Sequence, residues 1–392
     1  MNNTLDERVP LFSLDRRKSE ILRGFAILFV LLVHTWYYTY GGSAGVSLFI
    51  MLSGYGLDCS FEKNGLTGYW RKRFFKVWLP ACLVGLFDVL ALRAEGGFWV
   101  FLCTITGLDF GKHYDPSLWF ISYIMLWYLL YWLMARISLL FKEKRTGTLV
   151  RIAGLSLCSV GFYWLKDLGI WNDTINTGLY IPFFPLGVAL AALSRIKVRE
   201  RVRRLIWLAF FFLSLGYSFR VYMATESVGL AIAITFAMCT ILLGGVFTVR
   251  KDIWTGTKER WLASLVLIAL ALALVLLVRT QPSVFIVSLA PAMQILAPSQ
   301  LVRLRGGLER VLLWFGKYSY PIYLFEWPIF LRRKGWFGGL GYQPLIDLCF
   351  ILLTALFAWA FWEAYRQFEE LAEDALDRRK APRGDNETEK LT

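Results

Sequence analysis

Two ionisable residues, Arg23 and His34, stand in the first apolar stretch of the chain, eleven positions apart. An α-helix turns by about 100° per residue, so eleven residues bring a side chain back to nearly the same face, about 16 Å further along the axis. An ionisable residue inside an apolar span is energetically costly and is by default a functional candidate. Imidazole takes and returns a proton near neutral pH. A buried histidine that only joins two helices by a hydrogen bond would have the same sequence signature.

The elements that must position this pair are apolar helices. Hydrophobic residues make up 57% of the chain and charged residues 18%. Apolar runs of about 18 residues recur along the whole length, which is typical of a polytopic membrane protein. We therefore predict an all-α transmembrane helical bundle of about 10–12 spans. The expected spans are about 20–40, 44–61, 75–92, 117–135, 150–166, 178–194, 205–223, 228–248, 261–279, 284–298, 311–331 and 343–365.

The charge pattern predicts the organisation of the chain in the membrane. Residues 1–19 form a polar lead, 20–365 the transmembrane domain, and 366–392 a charged tail, expected to be a short amphipathic helix that frays into disorder. Most basic clusters fall in alternate loops, which places both termini in the cytoplasm. The cluster Arg332, Arg333 and Lys334 falls on the opposite side. The apolar run 97–108 is too short to cross and is expected to be re-entrant or interfacial.

Composition also excludes several classes of function. The net charge of +14 lies in loops between apolar runs, so nucleic acid is not an expected partner. The six cysteines form no CxxC pair and there are only two histidines, so neither a disulfide framework nor a metal site is expected. No cleavable signal peptide is evident, so the first helix is expected to be a retained anchor in the plasma membrane. The sequence has no clear internal repeat, which disfavours many transporter folds.

Short motifs follow one another along the chain: Arg23-Gly24 with His34, VSLFIMLSGY at 46–55, Arg73-Phe74-Phe75-Lys76, Leu118-Trp119-Phe120, and SYPIYLFEWP at 319–328. Together and in this order they resemble the integral-membrane acyltransferase 3 family. Two positions depart from its pattern. Lys76 stands where a second arginine is usual, and it keeps the charge but loses the bidentate geometry. Glu326 stands where a histidine is common, and it can act as an acceptor or base but not as a cation.

The resemblance implies transfer of an acyl group, usually acetyl from acetyl-CoA, to a hydroxyl of a cell-surface carbohydrate or a similar acceptor. Such an O-acetyltransferase needs a base of near-neutral pKa, and His34 is expected to be that base or a transient acyl carrier. Arg23 would stabilise the developing oxyanion or grip CoA. Glu326 is expensive in a span unless paired, so we expect a polar partner, either His34 or an arginine.

The remaining candidates would bind the two substrates. Arg71, Arg73 and Lys76 would contact the CoA phosphates, although ordinary cytoplasmic loop charge explains them equally well. Four residues are candidates for the acceptor side, and each also has a structural reading, such as a helix kink at Ser53 beside Gly54 or an aromatic belt at Trp119. They are Ser53, His113, Trp119 and Tyr320.

Two other classes of protein fit the same residues. A transporter or flippase of a glycan precursor or small anion would use His34 and Glu326 as a proton relay and would perform no acyl transfer. A sensor or scaffold would retain the acyltransferase motifs without their activity. The expected partners are the lipid bilayer, acyl-CoA and a carbohydrate. The acceptor identity, the acyl chain length and the oligomeric state are left open by the sequence.

Overall fold

The computed structural model describes residues 8–35, 41–91, 118–167, 180–203 and 302–380, and the positions 98, 99, 102, 106, 205, 206 and 209. The described part is mostly helical. We number its main helices α1 Arg16–Val33, α2 Gly41–Asn64, α3 Tyr69–Arg73, α4 Leu79–Ala91, α5 Trp119–Ser138, α6 Lys144–Asp167, α7 Phe183–Leu193, α8 Val302–Lys317, α9 Ser319–Phe337 and α10 Gln343–Lys380. A π-helical turn, Phe74–Trp78, joins α3 to α4, and a 3₁₀ turn, Gly338–Leu340, follows α9.

Helix α1 packs against α2, α8 and α9, so it links both halves of the described structure. Its contact with α8 is made backbone to backbone. A Cβ at Gly24 would collide with the carbonyl oxygen of Leu312, and one at Gly316 would collide with that of Glu20. Small residues allow such close approach of helices. The glycine after Arg23 therefore has a packing role in α1.

Helix α2 runs without interruption through Ser53 and Gly54. Gly54 has a role in helix packing. A Cβ on Gly54 would collide with the Phe184 carbonyl oxygen of α7, and a Cβ on Gly187 would collide with the Met51 carbonyl oxygen of α2. The two glycines thus allow close packing of α2 and α7.

Two span boundaries differ from the expectation. Helix α1 ends at Val33 rather than near residue 40, and the hydroxyl of Thr35 donates to the Leu32 carbonyl oxygen at 2.7 Å just beyond its end. The span expected at 311–331 is divided into α8 and α9 at Tyr318. Pro321 lacks the N–H that a continuous helix would need, but that N–H is dispensable in the first turn of α9.

The chain ends of the described part are more ordered than expected. In the lead, β1 (Arg8–Pro10) pairs antiparallel with β2 (Lys197–Arg199), so the fold is not purely helical. Phe12 behind this strand is fully buried. At the other end, α10 continues without a break to Lys380 in place of a separate tail helix.

Two helices in the described ranges are long and apolar enough to cross a membrane, Trp119–Ser138 and Gln343–Ala372, and α7 is apolar but shorter. The expected spans 228–248, 261–279 and 284–298 lie outside the described residues. So do most residues of 205–223 and of the run 97–108.

Candidate functional site

The structure brings His34 and Glu326 together. His34 caps the C-terminal end of α1, and Glu326 lies in the middle of α9. Nδ1 of His34 is 2.5 Å from Oε1 of Glu326, while the glutamate side chain is 0% exposed and the histidine side chain 25% exposed. At this distance the two groups form an ion pair when the imidazole is protonated. The contact is not aligned as a hydrogen bond, and both Glu326 oxygens are buried without a hydrogen-bond partner in the described ranges.

Two aromatic rings of α9 pack against the His34 imidazole. The ring centroids of Trp327 and Phe330 lie 5.4 Å and 5.2 Å from that of His34. The two rings also stack on each other at 5.1 Å, because residues three apart share a helix face. The guanidinium of Arg333 lies 3.5 Å from the centroid of the Phe330 ring. We call His34, Glu326, Trp327 and Phe330 the His34 cluster.

Two arginines beyond the His34 cluster tie α9 to its neighbours. Arg332 lies 3.5 Å from a carboxylate oxygen of Asp88 in α4, and Arg333 lies 3.9 Å from one of Asp347 in α10. Both carboxylates are buried. These arginines are the ones that disagreed with the expected loop charges. They lie within α9 rather than in a loop, and carboxylates of adjacent helices balance their charges.

A second group of polar residues surrounds Arg73 at the end of α3. The guanidinium carbon lies 5.5 Å from the ring centroid of Tyr69 and 5.0 Å from that of Tyr128, both within cation–π range. The Tyr69 hydroxyl donates to the Tyr128 carbonyl oxygen at 2.7 Å, which holds the Tyr69 ring against the backbone of α5. Nε of Arg73 is buried without a hydrogen-bond partner in this part of the structure. Arg23 lies within electrostatic range of the Tyr128 phenol.

The π-helical turn directly after Arg73 supplies backbone acceptors to other helices. The Val77 carbonyl oxygen accepts a hydrogen bond from Tyr320, and the Phe75 carbonyl oxygen accepts one from Tyr365. A π-helical turn changes the local hydrogen-bond pattern, and such turns are frequent at functional sites. Tyr320 therefore contacts the Arg73 region, and Lys76 projects from the same turn as an exposed residue. We call Arg23, Tyr69, Arg73, Tyr128 and Tyr320 the Arg73 cluster.

The other candidates are less closely grouped. Arg71 is partly exposed, and Ser53 is half-buried in α2. The Trp119 ring stacks on Tyr180 with centroids 5.4 Å apart. His113 lies outside the described residues. Within the described ranges, no group of three histidine, cysteine or acidic residues could hold a metal ion.

Sequence reasoning missed a buried ionic network around Asp58 of α2. This fully buried carboxylate accepts hydrogen bonds at 2.9 Å from Arg151, Arg195 and Tyr131. Glu62, one turn further along α2, accepts from Arg151 at 2.6 Å. The network joins α2 to α5, α6 and the end of α7. The only signal in the sequence is the i, i+4 pair of acids at the end of the second span.

Sequence reasoning also did not anticipate the contact of Trp327 and Phe330 with His34. Their spacing places them on one face of α9, but many aromatic pairs of this chain have such spacing. The usable signal in the sequence was Glu326, directly before Trp327. A buried acid needs a polar partner, so this segment was a candidate to contact His34.

Comparison with known proteins identifies the family. A family model described as an acyltransferase domain, Acyl_transf_3, matches residues 16–255 and 197–363. No curated protein and no solved structure matches the chain significantly. The family match covers most of the chain, confirms the resemblance of the motifs, and indicates an acyltransferase associated with a membrane. The chain belongs to the acyltransferase 3 family.

Proposed function

We propose that the protein is a multispan acyltransferase of the plasma membrane that transfers acetyl from acetyl-CoA to a hydroxyl of a cell-surface carbohydrate. The observation that carries the proposal is the 2.5 Å contact between His34 Nδ1 and the buried Glu326 carboxylate, in a chain of an acyltransferase family. A carboxylate beside one imidazole nitrogen favours protonation there and leaves the other nitrogen to act as a base.

The reaction needs a proton acceptor and a proton donor in turn. The acceptor hydroxyl attacks the carbonyl carbon of the thioester as His34 takes its proton. The carbon–sulfur bond then breaks, and the CoA thiolate leaves with the proton that the imidazolium returns. Glu326 stabilises the imidazolium between these steps, because opposite charges attract strongly where water is excluded. The alternative role of His34, as a transient acyl carrier, would leave the same residues in place.

The Arg73 cluster is the proposed site for the phosphates of CoA. The buried, unpartnered Nε of Arg73 supports this role, since a guanidinium with a free donor suits a phosphate oxygen. Arg71 and the exposed Lys76 would add charge from the same segment. Arg23 lies about 16 Å from His34 along the rise of α1, which supports a contact with the donor rather than with the oxyanion. Tyr320 would hold the π-helical turn in place for this site.

The acceptor would approach the His34 cluster from the other side of the membrane. Trp119 and His113 are proposed to contact it, and Ser53 is proposed as a hydrogen-bonding residue of α2. This arrangement assumes about twelve crossings with both termini in the cytoplasm, as the charge pattern favours. Donor and acceptor would then meet inside the bundle.

The second candidate function is proton-coupled transport of a glycan precursor or small anion. The buried His34–Glu326 pair favours it, because paired ionisable residues in spans also serve as proton relays. The family match favours transfer.

One experiment separates the two functions. Purified protein in sealed proteoliposomes receives acetyl-CoA labelled in the acetyl group, together with glycan extracted from the cell surface. We expect release of CoA thiol and labelled glycan without any ion gradient. Intact acetyl-CoA, with uptake of the glycan precursor only under a gradient, would contradict the proposal and support transport.

A further inference from the structure

The indole N–H of Trp327 is a buried hydrogen-bond donor that nothing in the described ranges accepts. Buried donors in native proteins are almost always hydrogen-bonded, so a donor without a partner requires a specific explanation. A donor at a substrate site is completed when the substrate binds. Trp327 packs against His34, the proposed base, which supports this explanation.

Trp327 lies in the His34 cluster. Its ring meets the imidazole edge to face, with centroids 5.4 Å apart and planes at 74°. Four buried polar atoms without aligned hydrogen-bond partners belong to three side chains of this cluster: Nδ1 of His34 and Oε1 of Glu326, which are 2.5 Å apart, Oε2 of Glu326, and Nε1 of Trp327. The buried carboxylate of Asp58, by contrast, is fully hydrogen-bonded. Nε1 of Trp327 is therefore the donor of this cluster that a polar ligand would engage.

Acyl transfer requires a donor to the carbonyl oxygen, where negative charge develops. Ionised Glu326 cannot donate. Arg333 is engaged with Phe330 and Asp347, and Arg23 is about 16 Å away along α1.

We propose that Trp327 is a catalytic residue whose Nε1–H donates to the carbonyl oxygen of the acyl thioester. This inference rests on the proposed acyl transfer. As the hydroxyl oxygen bonds to the carbonyl carbon, an electron pair of the C=O bond moves onto its oxygen and His34 takes the proton. Trp327 holds the resulting oxyanion by hydrogen bonding and keeps its own proton. The electron pair returns when the C–S bond breaks, and the thiolate takes the proton from His34.

The test compares Trp327→Phe with Trp127→Phe. Trp127 is a matched control, because its Nε1 is also buried and unpartnered while its ring packs against Phe162 and Phe184 instead of His34. Loss of one oxyanion donor costs about 100-fold in kcat. We expect that loss in Trp327→Phe, with an unchanged KM for acetyl-CoA. Trp127→Phe should stay within about threefold of wild type, as expected for a residue outside the site. Equal losses in both variants would overturn the inference.

A second donor substrate separates catalysis from packing. In the dithioester analogue of acetyl-CoA, the carbonyl oxygen is replaced by sulfur, a poor acceptor. Trp327→Phe should therefore lose about 100-fold with acetyl-CoA but less than about tenfold with the dithioester. The same loss with both donors would overturn the inference. If Trp327→Phe does not fold, benzothienylalanine at position 327 keeps the shape and replaces N–H by sulfur, and the same pattern is expected.

The outcomes distinguish this inference from the proposed function. Wild-type protein that leaves acetyl-CoA intact would contradict both. Wild-type protein that is active and requires His34, together with a fully active Trp327→Phe variant, would contradict only the role of Trp327.

Discussion

His34 at the end of α1 and Glu326 in the middle of α9 face each other with 2.5 Å between Nδ1 and Oε1. The carboxylate is fully buried, and an isolated buried charge is strongly unfavourable, so the pair requires the two helices to stay in register. Glu326 stands where the family commonly has a histidine. In this chain, the position therefore places a carboxyl group beside His34 in place of a second imidazole.

Replacing Glu326 by glutamine tests the charge of this pair. Glu326→Gln keeps the size of the side chain but cannot stabilise an imidazolium, so we expect kcat for acetyl transfer to fall by about 100-fold or more. Initial rates with labelled acetyl-CoA measure it. The control is Asp347→Asn, which neutralises another buried carboxylate of the bundle that pairs with Arg333. An equal rate in Glu326→Gln and wild type would contradict the role of the carboxylate.

Arg73 and its neighbour Lys72 separate donor binding from ordinary loop charge. Hydrogen bonds to charged groups contribute about 1.5–3 kcal/mol, so Arg73→Ala should raise the KM for acetyl-CoA by about tenfold to a hundredfold. Lys72 is exposed and lies outside the proposed site, so Lys72→Ala should change the KM by less than about twofold. Rates over a range of acetyl-CoA concentrations give both values. Equal changes of the KM in the two variants would contradict donor binding by Arg73 and would leave it the role of an ordinary loop charge.

Gly54 tests the close packing of α2 and α7. Gly54→Ala would force its Cβ against the Phe184 carbonyl oxygen, and overpacking of this kind costs about 1–3 kcal/mol. Gly56 lies on the same helix with no atom within 4 Å of its Cβ position, so Gly56→Ala should be neutral or stabilising. Thermal midpoints in detergent compare the variants. A midpoint of Gly54→Ala at or above that of Gly56→Ala would refute the close contact.

The ionic network predicts a loss of stability in acid. Glu62 lies just beyond the span expected to end at residue 61. Burial raises the pKa of its carboxyl, but hydrogen bonds from Lys144 and Arg151 and the charge of Arg195 outweigh burial, so the net pKa is lowered from its ordinary value of 4.5. A carboxyl with a lowered pKa stabilises the folded state above that ordinary value. This contribution is lost as the pH falls through the lowered pKa.

The thermal midpoint measured against pH tests this dependence. It should fall more steeply in acid for wild type than for Glu62→Gln. Glu143→Gln, which alters an exposed carboxylate, should follow the wild-type curve. Parallel curves for wild type and Glu62→Gln would show that Glu62 has no part in the acid response.

Sequence patterns located the middle of most described helices but not their ends. The expected span 311–331 was one apolar run, and only Pro321 indicated the division at Tyr318. Helix α1 was extended past Val33 because the aromatic residues after His34 suit a membrane interface as well as a helix. Hydropathy measures burial in lipid, and it does not reveal where a cap or a proline ends a helix.

Only part of the candidate site was predictable from the sequence. Glu326 required a polar partner, and the structure places His34 beside it. The partners of Asp58 were not foreseen, because Arg151 and Arg195 are far from it in the sequence. Trp327 was not foreseen either, since 17% of the chain is aromatic and the sequence does not show which rings meet the imidazole.

The central claim is that His34 performs acyl transfer, and His34→Ala tests it most directly. The variant is compared with wild type for transfer of labelled acetyl from acetyl-CoA to cell-surface glycan, at equal expression and with both thermal midpoints measured. We predict that transfer is abolished while acetyl-CoA still binds at the Arg73 cluster, and that the midpoint falls because the buried Glu326 loses its partner. Undiminished transfer by a folded His34→Ala variant would contradict the account.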